Sequence, residues 1–101
     1  DIGGAESSIR EFKEIFGDDY YLELQLHKPA NGIAANDVYP NQIEVNKVLA
    51  DLAGKHNVKL IATNDVHFTD ADDAVAHDHL ICLNTGRDLD DPNRMHYTGE
   101  E

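Results

Sequence analysis

Within the stretch LIATNDVHF, Asp65 and His67 have the types and the spacing to hold a divalent cation. A carboxylate and an imidazole supply the oxygen and nitrogen that such ions accept. Two positions apart on an extended chain, they stand on one face about 6–7 Å from each other. They can then converge on one ion or on two neighbours. Both follow a short apolar run, Leu60 to Ala62, where a buried strand gives way to a loop. In parallel α/β sheets and barrels, functional groups collect at that carboxyl end of the strands. A second stretch, YYLELQLH, ends in a similar way. Leu22, Leu24 and Leu26 alternate with Glu23, Gln25 and His27, so Glu23 and His27 become candidates on a polar face. If the two strands are neighbours, both polar sets look into the same space. Plainer readings stand beside these. Asp65 can cap a turn with His67 exposed next to it, and the polar face of the other strand can simply meet solvent. The coincidence of two histidine-ended strands favours the chemical reading.

Other groups carry less. His77 and His79, in HDH, fall in a helical pattern, where two positions apart means about 200° of rotation and diverging rings. One partly buried and one exposed histidine is the expectation there. The run TDADDAVAHDHL lacks the glycine and closing glutamate of a calcium loop. DLDDPN reads as an acidic turn, with Asp91 ahead of Pro92. His56 and His96 have no suggestive neighbours. The chain contains no glycine-rich phosphate loop and no nucleophile elbow.

The elements that would position these groups are marked by caps and periodicity. SIRE, Ser8 to Glu11, has the form of a capping box and opens a helix over about 8–16 whose stripe is Ile9, Phe12, Ile15 and Phe16, with Gly17 as its stop. A second helix, about 41–56, starts from Asn41 and Glu44. Its face is Val45, Val48, Leu49, Leu52 and Ala53, and Asn57 ends it. A third runs from about 70 to 85, with Asp70, Asp72 and Asp73 at the positive end of its dipole and Gly86 beyond it. Strands are expected at about 20–26 and 58–63. The second alternates less and is expected to be covered on both faces. Strand, helix and strand together predict an α/β fold containing a parallel βαβ unit. The loop KPANGIAANDVY, residues 28–39, is long for such a connection, and long loops there tend to be functional or mobile. The tail 86–101 reads as irregular. A sheet of only two parallel strands leaves both as edges, so the pattern makes best sense as one sector of a larger sheet or barrel.

Composition narrows the classes further. The chain has 101 residues and a formal net charge of −12, enough for one small domain. That charge repels a phosphate backbone and argues against a self-sufficient nucleic-acid binder. The single cysteine, Cys82, cannot form an internal disulfide and sits in apolar HLICLN. A buried thiol in a reducing, cytoplasmic setting is the expectation. No run is long and apolar enough to cross a bilayer.

FGDDYYLELQLH, ATNDVHF, DADDAVAHDHLICLNTG and LDDPNRMHY, in that order, closely resemble the bacterial DNA polymerase III alpha-subunit family. They are similar to the later part of its amino-terminal PHP (polymerase and histidinol phosphatase) domain. The resemblance covers about Ser8 to Tyr97; KPANGIAANDVYPN is the one unfamiliar segment. It implies a fragment of a distorted (β/α)7 barrel, residues 1–85 belonging to the PHP domain and 86–101 leading toward the polymerase region. It also implies a site for divalent ions (Zn, Mn or Mg) supporting phosphodiester hydrolysis, read as 3′→5′ proofreading. The family's last Asp-x-His motif maps onto Asp65 and His67 as metal ligands. Glu23 and His27 fall on a neighbouring strand, as supporting or substrate-side groups. The family's other ligands and the polymerase aspartates have no counterpart in this chain, so by itself it is expected to bind metal weakly and to catalyse nothing. Implied partners are DNA and other subunits of the replicative assembly, and the open strand edges suggest self-association of the isolated chain. A second branch of the family keeps the domain as a brace without a working site.

Overall fold

In the computed structural model, residues 1–29 and 38–101 are described. The described residues form three α-helices and two parallel strands, and the chain divides into two compact units. The first comprises residues 1–25 and 43–63, the second 26–42 and 64–101.

In the first unit, α1 (Ile2–Phe16) is followed by a 3-10 turn, Gly17–Asp19, and by β1 (Tyr21–Leu24). Most of α2 (Val38–His56) and then β2 (Lys59–Ala62) complete it. The two strands pair in parallel with Tyr21 opposite Lys59 and Leu24 opposite Ala62. Helix α2 is the crossover, as the strand–helix–strand pattern requires. Ile9 of α1, Leu22 of β1, and Leu52 and Ala53 of α2 form the buried core, with Val48, Leu49 and Val58 packed against it. Val48, Leu49, Leu52 and Ala53 lie on the expected α2 face, but Val45 is exposed, and of the expected α1 stripe only Ile9 is buried while Phe12, Ile15 and Phe16 are exposed.

Both helices begin earlier than the sequence signals suggest. Asp1 caps α1, its carboxylate accepting from the Gly3 N–H at 3.1 Å, so the Ser8–Glu11 box lies inside the helix. Helix α2 starts at Val38 rather than at Asn41. Pro40 sits in its first turn, where the missing N–H forfeits no helical hydrogen bond. The ends are better predicted. Asn57 takes a positive φ of 54°, and the Lys13 ammonium donates to the carbonyls of both His56 and Asn57, satisfying the end of α2. Gly86 also ends its helix as expected: it adopts φ 66°, ψ 37°, the left-handed geometry of a helix stop.

The strands are shorter than expected, and two expectations fail with them. All four residues of β2 are exposed, so within this chain it is not covered on both faces. Alternation on β1 stops at Leu24, because beyond it the backbone turns to side-chain partners: Asn46 Nδ2 donates to the Gln25 carbonyl at 2.9 Å. Leu26 is then 52% exposed while His27 is 2% exposed. His27 therefore does not share a solvent-facing polar face with Glu23.

In the second unit, a 3-10 turn, Ala71–Asp73, leads into α3 (Ala74–Thr85). Asp70 and Asp73 form a reciprocal capping box, which splits the expected 70–85 helix into a tight first turn and a regular remainder. Residues 86–101 contain turns but no helix or strand. Residues 30–37, the middle of the expected long loop, lie outside the described residues.

Candidate functional site around Asp65 and His67

Strand β2 ends at Ala62, so Asp65 and His67 lie in the loop beyond it rather than on its extension. The same-face argument from strand geometry therefore does not apply to them. Their relationship is made by a turn instead. Asp65 has φ 49°, a left-handed conformation that aspartate tolerates better than most residues. This turn brings the Asp65 carbonyl within 2.6 Å of His67 Nδ1. A carbonyl only accepts, so Nδ1 carries the proton and Nε2 keeps its lone pair. That is the tautomer in which an imidazole ligates a metal through Nε2, its other nitrogen held by a carbonyl.

The loop is fixed from behind by His27. Its Nε2–H donates to the Asn64 carbonyl at 2.9 Å, and its Nδ1 accepts from Gln42 Nε2 at 3.0 Å. Gln42 Oε1 in turn accepts the His27 backbone N–H at 2.6 Å. Both ring nitrogens are thus occupied, and His27 serves as a buried strut one residue ahead of Asp65. Asn64 Nδ2 also donates to the Glu100 carbonyl at 2.9 Å, tying the loop to the tail. Glu23 belongs to the first unit, where its Oε1 accepts from the Thr63 hydroxyl and from Gln25 Nε2.

An aromatic group surrounds His67. Its ring centroid lies 4.6 Å from that of Tyr97 and 5.7 Å from that of His77, and His77 also touches Phe68 at 5.4 Å. The Tyr97 hydroxyl approaches His67 Nε2 at 3.3 Å. As helical spacing requires, the two histidines of HDH diverge: His77 packs into this group, while His79 is exposed and donates to the Val75 carbonyl. The residue between them is the one that forms a strong contact. Asp78 pairs with Arg94 through two parallel hydrogen bonds, and Arg94 Nε also donates to the Leu89 carbonyl. Asp78 raises the Arg94 pKa further above its already high value. Together with Phe68, His77, Leu89 and Tyr97, this pair lines a cleft of about 250 Å³.

The tail closes on a second carboxylate. Glu101 accepts from the Thr98 hydroxyl at 2.9 Å and from the backbone N–H groups of Thr98, Gly99 and Glu100. Burial pushes this carboxyl up, but the Thr98 and Glu100 donors outweigh it and hold it below the ordinary range. Cys82 is buried, as its apolar context indicates. Among the described residues, no three His, Cys, Asp or Glu side chains gather closely enough to hold a metal ion by themselves. Gln42, Asn64, Arg94 and Tyr97 were not evident from the sequence. They act through hydrogen bonds to partners distant in sequence, and no local pattern marks those.

Comparison with known proteins identifies the sequence. Over 97 residues, 96% of its length, the chain is 36% identical to the DNA polymerase III subunit alpha of Thermus aquaticus. It is 42% identical over 83 residues, 82% of its length, to that of Aquifex aeolicus, and 38% identical over 91 residues, 90% of its length, to that of Borreliella burgdorferi. This stretch belongs to the DNA polymerase III alpha-subunit family. The chain spans only 7%, 6% and 7% of those three relatives, respectively. No family model matches it. The 97 residues matched to the Thermus aquaticus sequence leave out too few positions to miss either the Asp65–His67 loop or Tyr97.

Proposed function

We propose that Asp65 and His67 contribute to a divalent-metal phosphodiesterase site of PHP type, within a DNA-directed DNA polymerase alpha subunit. The site's task is 3′→5′ removal of nucleotides during DNA replication in the cytoplasm. DNA is the substrate, and other subunits of the replicative assembly are the partners. The observation that carries this reading is the Asp65 carbonyl on His67 Nδ1, which leaves Nε2 as the coordinating atom. The exposed Asp65 carboxylate supplies an oxygen donor from the same turn.

The two side chains fit such an ion chemically, as part of a donor set that other parts of a full-length polypeptide would complete. A divalent ion bound there supplies Lewis acidity and lowers the pKa of a bound water. Asp65 offers charge, and His67 offers a nitrogen of fixed tautomer. His27 and Gln42 hold the loop that carries both. The aromatic rings of Tyr97 and His77 limit water on one side of His67. Glu23 is a supporting group and no catalytic role is assigned to it.

The test uses the full-length polypeptide. Asp65→Ala and His67→Ala are expected to abolish metal-dependent excision from a 3′-labelled strand while nucleotide incorporation continues. Undiminished excision in both variants would sink the proposal.

A bracing role is the second reading. It is favoured by His27, whose two ring nitrogens are both spent on internal hydrogen bonds, and by the Arg94–Asp78 pair. On that reading the same two variants lower the melting temperature and slow incorporation, with no nuclease to lose.

A further inference from the structure

The Tyr97 hydroxyl stands 3.3 Å from the one atom of His67 that a metal would use. Because His67 Nδ1–H is committed to the Asp65 carbonyl, Nε2 can only accept, and the phenol must be the donor. We propose that Tyr97 is a positioning residue that covers the coordinating nitrogen of His67 and must withdraw its hydroxyl before a cation can bind there. This inference rests on the metal-site reading above.

Three features support it. At 3.3 Å the contact is longer than the usual span of protein hydrogen bonds, so the bond is weak and readily exchanged. The tyrosine ring also packs on His67, with centroids 4.6 Å apart, and edge-on to His77 at 5.1 Å. Loss of the hydroxyl alone therefore leaves the ring's packing in place. Finally, Tyr97 is held from both sides along the chain, by Arg94 on Asp78 and by Thr98 on Glu101. The segment that carries the hydroxyl is therefore anchored on both sides. A lone pair already engaged by a donor is unavailable to a cation until that donor leaves.

The experiment measures Zn²⁺ affinity by competition with a chromogenic chelator, in the full-length polypeptide. It compares the unaltered protein with Tyr97→Phe, His67→Ala and the double variant. Tyr97→Phe is expected to bind Zn²⁺ about two- to tenfold more tightly, the range that one hydrogen bond supplies, with an unchanged melting temperature. In the His67→Ala background the same change is expected to add nothing. A structural role for the ring does not produce that His67-dependent difference. Unchanged or weaker affinity in Tyr97→Phe, with His67→Ala still weakening binding, would overturn the role of Tyr97 alone. If His67→Ala leaves Zn²⁺ affinity unaltered, the metal-site reading itself fails.

Discussion

Arg94 grips Asp78 with both ends of its guanidinium, Nη1 on Oδ1 at 2.5 Å and Nη2 on Oδ2 at 2.9 Å. The pair joins α3 to a tail that has no regular secondary structure, and its side chains are 8% and 17% exposed. Removing one partner from a buried pair strands the other charge. Arg94→Ala is expected to cost about 3 kcal/mol, read as a shift in the urea midpoint. Arg94→Lys is expected to recover only part of this, because an ammonium cannot form the two-pronged contact.

Gln42 is the partner that fixes His27. Replacing it with leucine removes the acceptor for the His27 N–H and the donor to its Nδ1 at a buried site. Each orphaned group costs about 1–3 kcal/mol, so urea unfolding of Gln42→Leu is expected at a clearly lower midpoint. Gln42→Glu, which keeps the acceptor and loses the donor, is expected to fall between the two.

Asp65 has two roles that substitution can separate. Its left-handed backbone is compatible with asparagine and glycine but costs alanine about 1–2 kcal/mol. Asp65→Asn is therefore expected to unfold like the unaltered chain while losing the carboxylate needed for cation binding. Asp65→Ala is expected to lose both. Thermal melts and chelator competition on the two variants check this.

Glu6 gives a pH-dependent signature. Hydrogen bonds from Lys55 and then His56 hold its carboxyl down from 4.5 to about 2. A carboxylate depressed by folding contributes stability that is complete above its unfolded pKa and is lost as pH falls through the folded one. Glu6→Gln is thus expected to flatten the fall in stability between pH 4.5 and about 2, with urea midpoints measured across that window.

The helices and their parallel strand pair were legible because they rest on local periodicity. Spacing placed Ile9, Leu22, Leu52 and Ala53 in the core, but it placed Phe12, Ile15, Phe16 and Val45 on the same faces, and within this chain those four are exposed. Asn57 and Gly86 could be named as stops because each takes the positive φ that its residue type favours. What failed were boundaries decided by distant partners. No feature of YYLELQLH shows that Asn46 will take the Gln25 carbonyl and end the alternation, leaving His27 buried. The Asp65–His67 pairing was identified from strand spacing, whereas the contact between them is made by a turn. In HDH, attention to the imidazoles concealed the aspartate that pairs with Arg94. Side-chain partnerships across sixteen or thirty residues have no period to read.

Lys13 has a consequence for how the first unit is assembled. Its ammonium closes the last turn of α2 from a different helix, by way of the His56 and Asn57 carbonyls. Synthesis runs from the amino terminus, so Lys13 is made before those carbonyls and is already present when they are added. The end of one helix is then completed by its predecessor in time, and a chain started after Lys13 would produce an α2 that frays at its final turn.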